Sequence, residues 1–315
     1  MGDLRPSRRT AWALALCLPT LGAVELGLSL WFARRTPREA DFVAARPRLL
    51  ALRREVDGAA VAPRWLEPVA RMALGEEVLP LGDVARPDES RFARMLQISA
   101  RGATLPELSS FRVVRREDLG GGLVATIFEN PSPARPTFDF TAAVAAGQAD
   151  VAWVLPDGRA PCTWRTGIAT AAPGLFGHPA MPRDRYVCGR AAWQSVGVTV
   201  HDDERHLARR CVWSHPPEGG HVSLVFRDVQ LGRELRGHQS IHWTLERDRP
   251  GTPVVLSLRV DGVEVGRDVH RDGEGWRPFS LPLGELAGRR AREVELRIES
   301  ERADQRHVCW EADTR

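Results

Sequence analysis

The sequence predicts an α+β protein in three parts: a single N-terminal transmembrane helix, a small α/β region and a C-terminal antiparallel β-sandwich, jelly-roll-like in its strand spacing. Three observations predict it. One apolar run, Ala11 to Ala33, is 23 residues long and can cross a hydrocarbon core as a helix. Between residues 36 and 130, helix-like and strand-like stretches alternate. From residue 184 to residue 315, about ten short stretches alternate polar and apolar side chains, with turn residues between them. Residues 1–10 form a tail, and residues 131–183 are expected as a linker and loop layer.

The apolar run is flanked by Arg5, Arg8 and Arg9 on one side and by Arg34 and Arg35 on the other. It reads as a signal anchor. The alternative is a cleaved signal peptide, but the run is long for one and no A-x-A ends it. A lipoprotein reading at Cys17 is opposed by the bulky Leu16 and by the run continuing beyond it. Glu25 inside the span marks either a partner-helix contact or a position near the interface. Arginines after the span outnumber those before it, which favours a cytoplasmic C-terminal part, yet long domains translocate largely regardless of charge.

The cysteines break that tie. Besides Cys17 there are four, Cys162, Cys188, Cys211 and Cys309. An even number suits an oxidising compartment and allows three pairings. Proximity favours Cys162–Cys188, and Cys211–Cys309 would tie in the terminal strand. Four reduced core cysteines are the alternative; a zinc site lacks any C-x-x-C. The expected location is the inner membrane, single-pass, with the C-terminal domain in the periplasm.

Thr36 to Asp57 reads as a helix capped by Thr36, with Pro37 at its first position and Gly58 as its stop. Ala59 to Ala62 is a short strand ended by Pro63, and Leu66 to Leu74 a short helix closed by Gly75. Arg91 to Ala100 and Phe111 to Val114 fit either strands or short helices. Leu123 to Phe128 is a strand after the turn Gly120-Gly121-Gly122. Those glycines lie between strand-like runs and open no helix, so they form no phosphate loop. Pro131 to Pro136 is the linker proper. In the β region, Val254 to Val260 puts Val254, Leu256, Leu258 and Val260 on one face, and Val294 to Glu299 follows the same period. Asp261-Gly262 signals a hairpin. Trp193 to Val200 and His238 to Leu245 are read as strands, with Trp243 facing inward beside Ile241 and Leu245.

Composition excludes several chemistries. All 44 basic residues are arginine, so no Walker, Schiff-base or kinase lysine exists. The net charge of +3 gives no global field for nucleic acid. Asn130 precedes Pro131, so there is no N-glycosylation sequon. His201-Asp202-Asp203-Glu204 with His206 is the densest ligand-type cluster; a polar turn between strands is its preferred reading. His238 and His242 share a strand face, with Gln239 where a metalloprotease needs glutamate. Asp268, Asp272 and Glu274, beside Gly273 and Gly275, offer oxygens of the kind calcium takes, with an Asp-Gly turn as the alternative. Seven of ten tryptophans lie from Trp153 onward. Most belong to cores, and Trp276, after a glycine turn, is the candidate exposed platform. No catalytic residue is assigned.

Val254 to Ile298 carries Val260-Asp261-Gly262, then Asp272-Gly273-Glu274-Gly275-Trp276, then Gly288 before a last alternating strand. This resembles the jelly-roll modules of galactose-binding-like and carbohydrate-binding-module type. The resemblance implies sugar binding, often with a structural calcium, but the family's ligand-contacting residues do not map onto this sequence; the glycine turn itself makes Trp276, Asp272 and Glu274 the ligand-binding candidates. Residues 39–130, with a helix leading to a strand that ends in Pro63-Arg64-Trp65, resemble the extracytoplasmic part of polytopic membrane glycosyltransferases. That implies association with envelope glycans, not transfer, because the chain has one span. Three functions follow in order: a non-catalytic module for envelope polysaccharide; a structural or interaction subunit of an envelope complex; and a glycan-acting hydrolase, whose two carboxylates need no local motif.

Overall fold

The computed structural model describes residues 8–169, 181–248 and 251–315. The chain forms two compact units. The first comprises residues 1–80 and 94–129, the second residues 81–93 and 130–315.

In the first unit, α1 (Arg8–Arg35) contains the apolar run. Side chains of residues 8–16, 18 and 33–35 lie outside those described. Among the described residues, no helix is long and apolar enough to cross a membrane. α2 (Glu39–Arg53) starts three residues later than expected and runs on through Pro47. Its cap is not Thr36: Asp41 turns back to accept the Arg38 N–H at 2.7 Å. Phe42, Leu49 and Leu52 form its buried stripe. α3 (Glu67–Leu74) follows the first strand. The sheet order is β1 (Gly58–Ala62), β2 (Arg94–Ala100), β4 (Leu123–Glu129), β3 (Arg112–Gly120), with β1 parallel to β2 and the rest antiparallel. Gly120, Gly121 and Gly122 all have positive φ in the β3–β4 turn, which explains the glycine run.

The second unit is a sandwich of two sheets. The first sheet runs β16 (Arg277–Pro282), β13 (Glu234–Ile241), β18 (Val308–Thr314), β11 (Ala208–Ser214), β10 (Ser195–Asp202), β9 (Arg185–Val187), β8 (Thr163–Arg165), with β5 (Phe138–Asp139) also on β18. The other sheet runs β15 (Val263–His270), β14 (Val254–Val260), β17 (Arg290–Ser300), β12 (His221–Gln230), β6 (Asp150–Leu155), β7 (Gly158–Pro161). Residues 131–183, expected as linker and loops, thus supply strands to both sheets and the helix α5 (Phe140–Ala145).

One core lies between the sheets. Val212, Ile241 and Trp310 meet Leu224, Phe226, Leu256, Leu258, Leu296 and Ile298 there. The period of two in β14 and β17 holds: Val254, Leu256, Val294, Leu296 and Ile298 are fully buried. Asp261 (φ 48°) and Gly262 (φ 85°) make the β14–β15 hairpin with two positive-φ residues, as a type I′ turn requires. The strand expected over His238–Leu245 stops at Ile241. His242 instead opens α6 (Trp243–Asp248), its carbonyl accepting the Leu245 and Glu246 N–H groups. Trp243 therefore leaves the inward set, and His206 packs edge-on against it.

β18 is buried along its whole length. Val308, Trp310 and Ala312 face the core, so Cys309, Glu311 and Asp313 face the other way. Residues 81–93, with the short helix α4 (Leu81–Val84), cover that outer face. Ala85 O accepts the Arg210 N–H, and Arg91 reaches Asp139 (2.6 Å), Glu311 (3.0 Å) and Asp313 (2.5 Å). Arg315 joins Asp313 at 2.7 Å and donates to Ser90 Oγ. Burial pushes the Glu311 carboxyl up, while the His238 and Arg91 charges pull it down.

The disulfides are Cys162–Cys188 and Cys211–Cys309, with Cα atoms 4.2 and 5.5 Å apart. The second ties β11 to β18 on the covered face.

Candidate functional site: an aromatic cleft at one end of the sandwich

Four separate pieces of chain meet at one end of the sandwich. β6 supplies Trp153, the turn before β10 supplies Trp193 and Gln194, the β11–β12 loop supplies His215 to Glu218, and the β17–β18 loop supplies Ala303 and Asp304. Together they line a cleft of about 330 Å³. Two further depressions adjoin the same loops. One of about 320 Å³ shares Glu218 and Asp304 and adds Arg302; another of about 380 Å³ lies by His221, Glu299 and Glu301.

The cleft wall is aromatic and held from behind. Trp193 stands edge-on to His215 with centroids 4.5 Å apart. His215 packs against His307, and His307 against Trp213. The Trp213 indole N–H donates to Trp193 O at 3.1 Å, which fixes the turn that carries Trp193. The Trp193 ring remains 41% exposed. Trp153 is half-buried, and its indole N–H is buried with no partner among the described residues. Buried donors are normally satisfied, so this one is a bond in reserve.

The polar groups have definite roles. His215 Nδ1 lies 3.1 Å from Arg306 O. A carbonyl only accepts, so Nδ1 carries the proton and Nε2 is left as an acceptor. Burial lowers the His215 pKa to about 4, against the pull of Arg306 O and Asp304, so the ring is neutral near pH 7. Glu218 Oε2 accepts the Ala303 N–H at 3.0 Å, bracing one loop against the other. Gln194 Oε1 accepts from Ala191, leaving its amide N–H groups for a ligand among the described residues. Aromatic faces with a few convergent polar groups are the usual make-up of a small-ligand site.

The residues singled out from the sequence lie elsewhere. Trp276 is no open platform. His238 stacks on it at 5.3 Å, its N–H donates to Pro87 O, and the Arg209 guanidinium is 5.7 Å from its ring. The segment 81–93, distant in sequence, thus holds its edge, and the residue is partly buried. Asp268, Asp272 and Glu274 do not gather around one point. Asp272 bonds Arg306 (2.6 Å) and the Gly251 N–H (3.1 Å), Glu274 bonds Arg277 and the Arg271 N–H, and Asp268 bonds Arg277 and Gln239. Arginine takes the place a calcium ion would need. His238 and His242 are buried rather than on the surface. In the His201–His206 turn, Asp203 caps the Arg205 and Leu207 N–H groups and pairs with Arg209. Among the described residues, the metal-type grouping is His201 with Cys211 and Cys309, within 4.8 Å of one another, and its two sulfurs are spent in the disulfide.

Sequence reading missed the cleft. The signal available was Trp193 itself. It sits in Gly189-Arg190-Ala191-Ala192-Trp193-Gln194, where no alternation assigns it an inward face; the strand begins only at Ser195.

No protein-family model matches the chain, and no curated protein matches it. Solved structures do. The module CBM51-2 in complex with GlcNAc, with the INT domains, from Clostridium perfringens ZmpB is 11% identical, over 65% of this chain and 41% of that one, at a TM-score of 0.29. CBM51 from Clostridium perfringens GH95, in complex with methyl-galactose, is 10% identical over 38% and 81%, at 0.26. A family 29 carbohydrate-binding module is 15% identical over 48% and 89%, at 0.22. The likeness of residues 39–130 to membrane glycosyltransferases has no counterpart among these.

Proposed function

We propose that the second unit is a non-catalytic carbohydrate-binding sandwich, held at a bacterial envelope by α1. The cleft between Trp153 and Trp193 carries the reading: two indoles at an open site, backed by rigid packing and edged by polar groups, of which the Gln194 amide N–H groups and His215 Nε2 have no partner among the described residues. Sugar rings present apolar C–H faces and a girdle of hydroxyls, and this surface offers a partner for each. Binding is favoured over hydrolysis. A glycosidase needs a carboxylic acid kept protonated. A carboxyl that burial pushes up does occur, at Glu311, but it lies beneath residues 81–93 and is not among the residues lining the cleft or its two adjoining depressions.

Two further observations support the placement. Leu21, Leu26, Leu28 and Phe32 on α1 are 52–64% exposed, apolar surface of the kind a bilayer covers. Two disulfides are at home in an oxidising compartment, which supports a sandwich on the periplasmic side of an inner membrane. The alternative, an interaction subunit, draws on α3 and the turn before it. There Trp65 (64%), Val69 (37%) and Met72 (77%) form an exposed apolar line at helical spacing.

The test is a polysaccharide-binding screen on the full-length chain in a detergent without a sugar headgroup. Saturable binding, weakened at least about tenfold in Trp193→Ala and Trp153→Ala, is the expected result. A folded protein that binds no glycan, or binds one equally well in both variants, refutes the reading.

A further inference from the structure

We infer that this cleft selects glycans whose sugars carry free amines, in preference to neutral or acidic ones. The inference rests on the carbohydrate-binding reading and names the ligand class of the same site.

The charge around the cleft runs against the rest of the chain. The protein carries a net +3, with 44 arginines. The cleft and its two adjoining depressions are lined by four carboxylates, Glu218, Asp304, Glu299 and Glu301, and by one guanidinium, Arg302. Asp304 and Glu301 are exposed and free of ion pairs among the described residues. The imidazole does not offset this charge. With Nδ1 committed to Arg306 O, His215 presents a lone pair. The acceptors are thus carboxylates and an imidazole lone pair. Among the described lining side chains the one charged donor is the Arg302 guanidinium, and the neutral donors include the N–H groups of Gln194 and Trp193. Such a site pairs poorly with carboxylate- or sulfate-bearing sugars and well with a ligand rich in N–H donors.

The aromatic wall points the same way. Trp153 and Trp193 line the cleft that Glu218 and Asp304 edge. An ammonium group gains from the face of an indole as well as from a carboxylate, and an acetamide loses the charge that both recognise. A sugar with an amine next to its ring places the charge within a few ångströms of the stacked face. The two depressions continue the carboxylates beyond the cleft, so a chain of such sugars meets repeated acceptors.

The experiment compares four probes by calorimetry on the full-length chain in the same detergent: a β-1,4-linked glucosamine hexamer, its N-acetylated form, a uronic-acid oligomer and an oligolysine of equal charge. The free-amine hexamer is expected to bind at least about tenfold tighter than its acetylated form, with the difference shrinking in high salt. The double variant Glu218→Gln/Asp304→Asn is expected to bring the two within about threefold while acetylated-chain binding persists. Equal or tighter binding of the acetylated or uronic oligomer, still lost in Trp193→Ala, overturns the charge preference and leaves the sugar site standing. Oligolysine binding as tightly as the hexamer overturns the sugar as carrier of the amine. No binding of any glycan overturns this inference and the reading beneath it.

Discussion

Arg306 is wholly buried, and Asp272 is what balances it. The two meet at 2.6 Å, and Arg306 Nη1 also reaches Thr252 O at 3.4 Å. Among the described residues Nε and Nη2 have no partner. Asp272→Ala therefore leaves a guanidinium in the interior without its counter-charge and strips an acceptor from the Gly251 N–H. Breaking a buried pair from one side costs about 3–5 kcal/mol. With a urea m-value of about 3 kcal/mol per molar, a loss of about 4 kcal/mol lowers the unfolding midpoint by about 1.3 M. The companion variants are Arg306→Met and the double Asp272→Ala/Arg306→Met. Replacing both partners removes the charge along with its partner, so the double variant should recover most of the loss, with an interaction energy of at least about 2 kcal/mol in the cycle. The assay is urea unfolding followed by tryptophan fluorescence. An Asp272→Ala cost below about 1 kcal/mol, or a double variant whose cost is the sum of the singles, would show that the pair does not balance charge in the interior.

Three other outcomes are expected. Removing Cys211–Cys309, which closes a 98-residue loop, should cost more than removing Cys162–Cys188, which closes 26, by about 1 kcal/mol in the loop-entropy account; unfolding of the two double-alanine variants under oxidising conditions checks this. His215 has its folded pKa lowered from 6.5 to about 4, so between those values the unfolded chain binds the extra proton. Its share of stability is full above pH 6.5 and lost as pH falls toward 4, worth about 3 kcal/mol, and His215→Gln should flatten the acid limb of a stability–pH curve. Replacing residues 1–35 by a cleavable signal peptide should move the protein from the membrane fraction to the soluble periplasmic fraction on cell fractionation; retention in the membrane would argue against α1 as the anchor.

The parts of the fold that could be read in advance are those where the cause is local. The alternation in β14, the Asp261-Gly262 turn and the glycines at 120–122 each state their conformation within a few residues. The disulfide partners were legible for a different reason: only three pairings were open, and Cys309 sits in the last strand. Trp276 misled because its flanking glycines speak for a turn, while what holds its edge, Pro87, lies 189 residues away. The aromatic cleft was illegible for the same reason. Trp153, Trp193, His215 and Asp304 come from four loops and strands, and no spacing links them. Trp243 shows a third case, where alternation from Ile241 to Leu245 suggested a strand until the His242 carbonyl found helical partners.

The position of β18 has a consequence in time. It is made after every other strand of the sandwich, yet it lies between β13 and β11 and carries Cys309 and the carboxylates that Arg91 joins across 220 residues of chain. Residues 81–93 are made early and must wait, uncovered, for the sheet they cover. The sandwich cannot assemble progressively as it emerges; it closes only when Val308–Thr314 has been made. A chain cut short before Val308 would lose the centre of a sheet, not its edge, and with it the disulfide to Cys211.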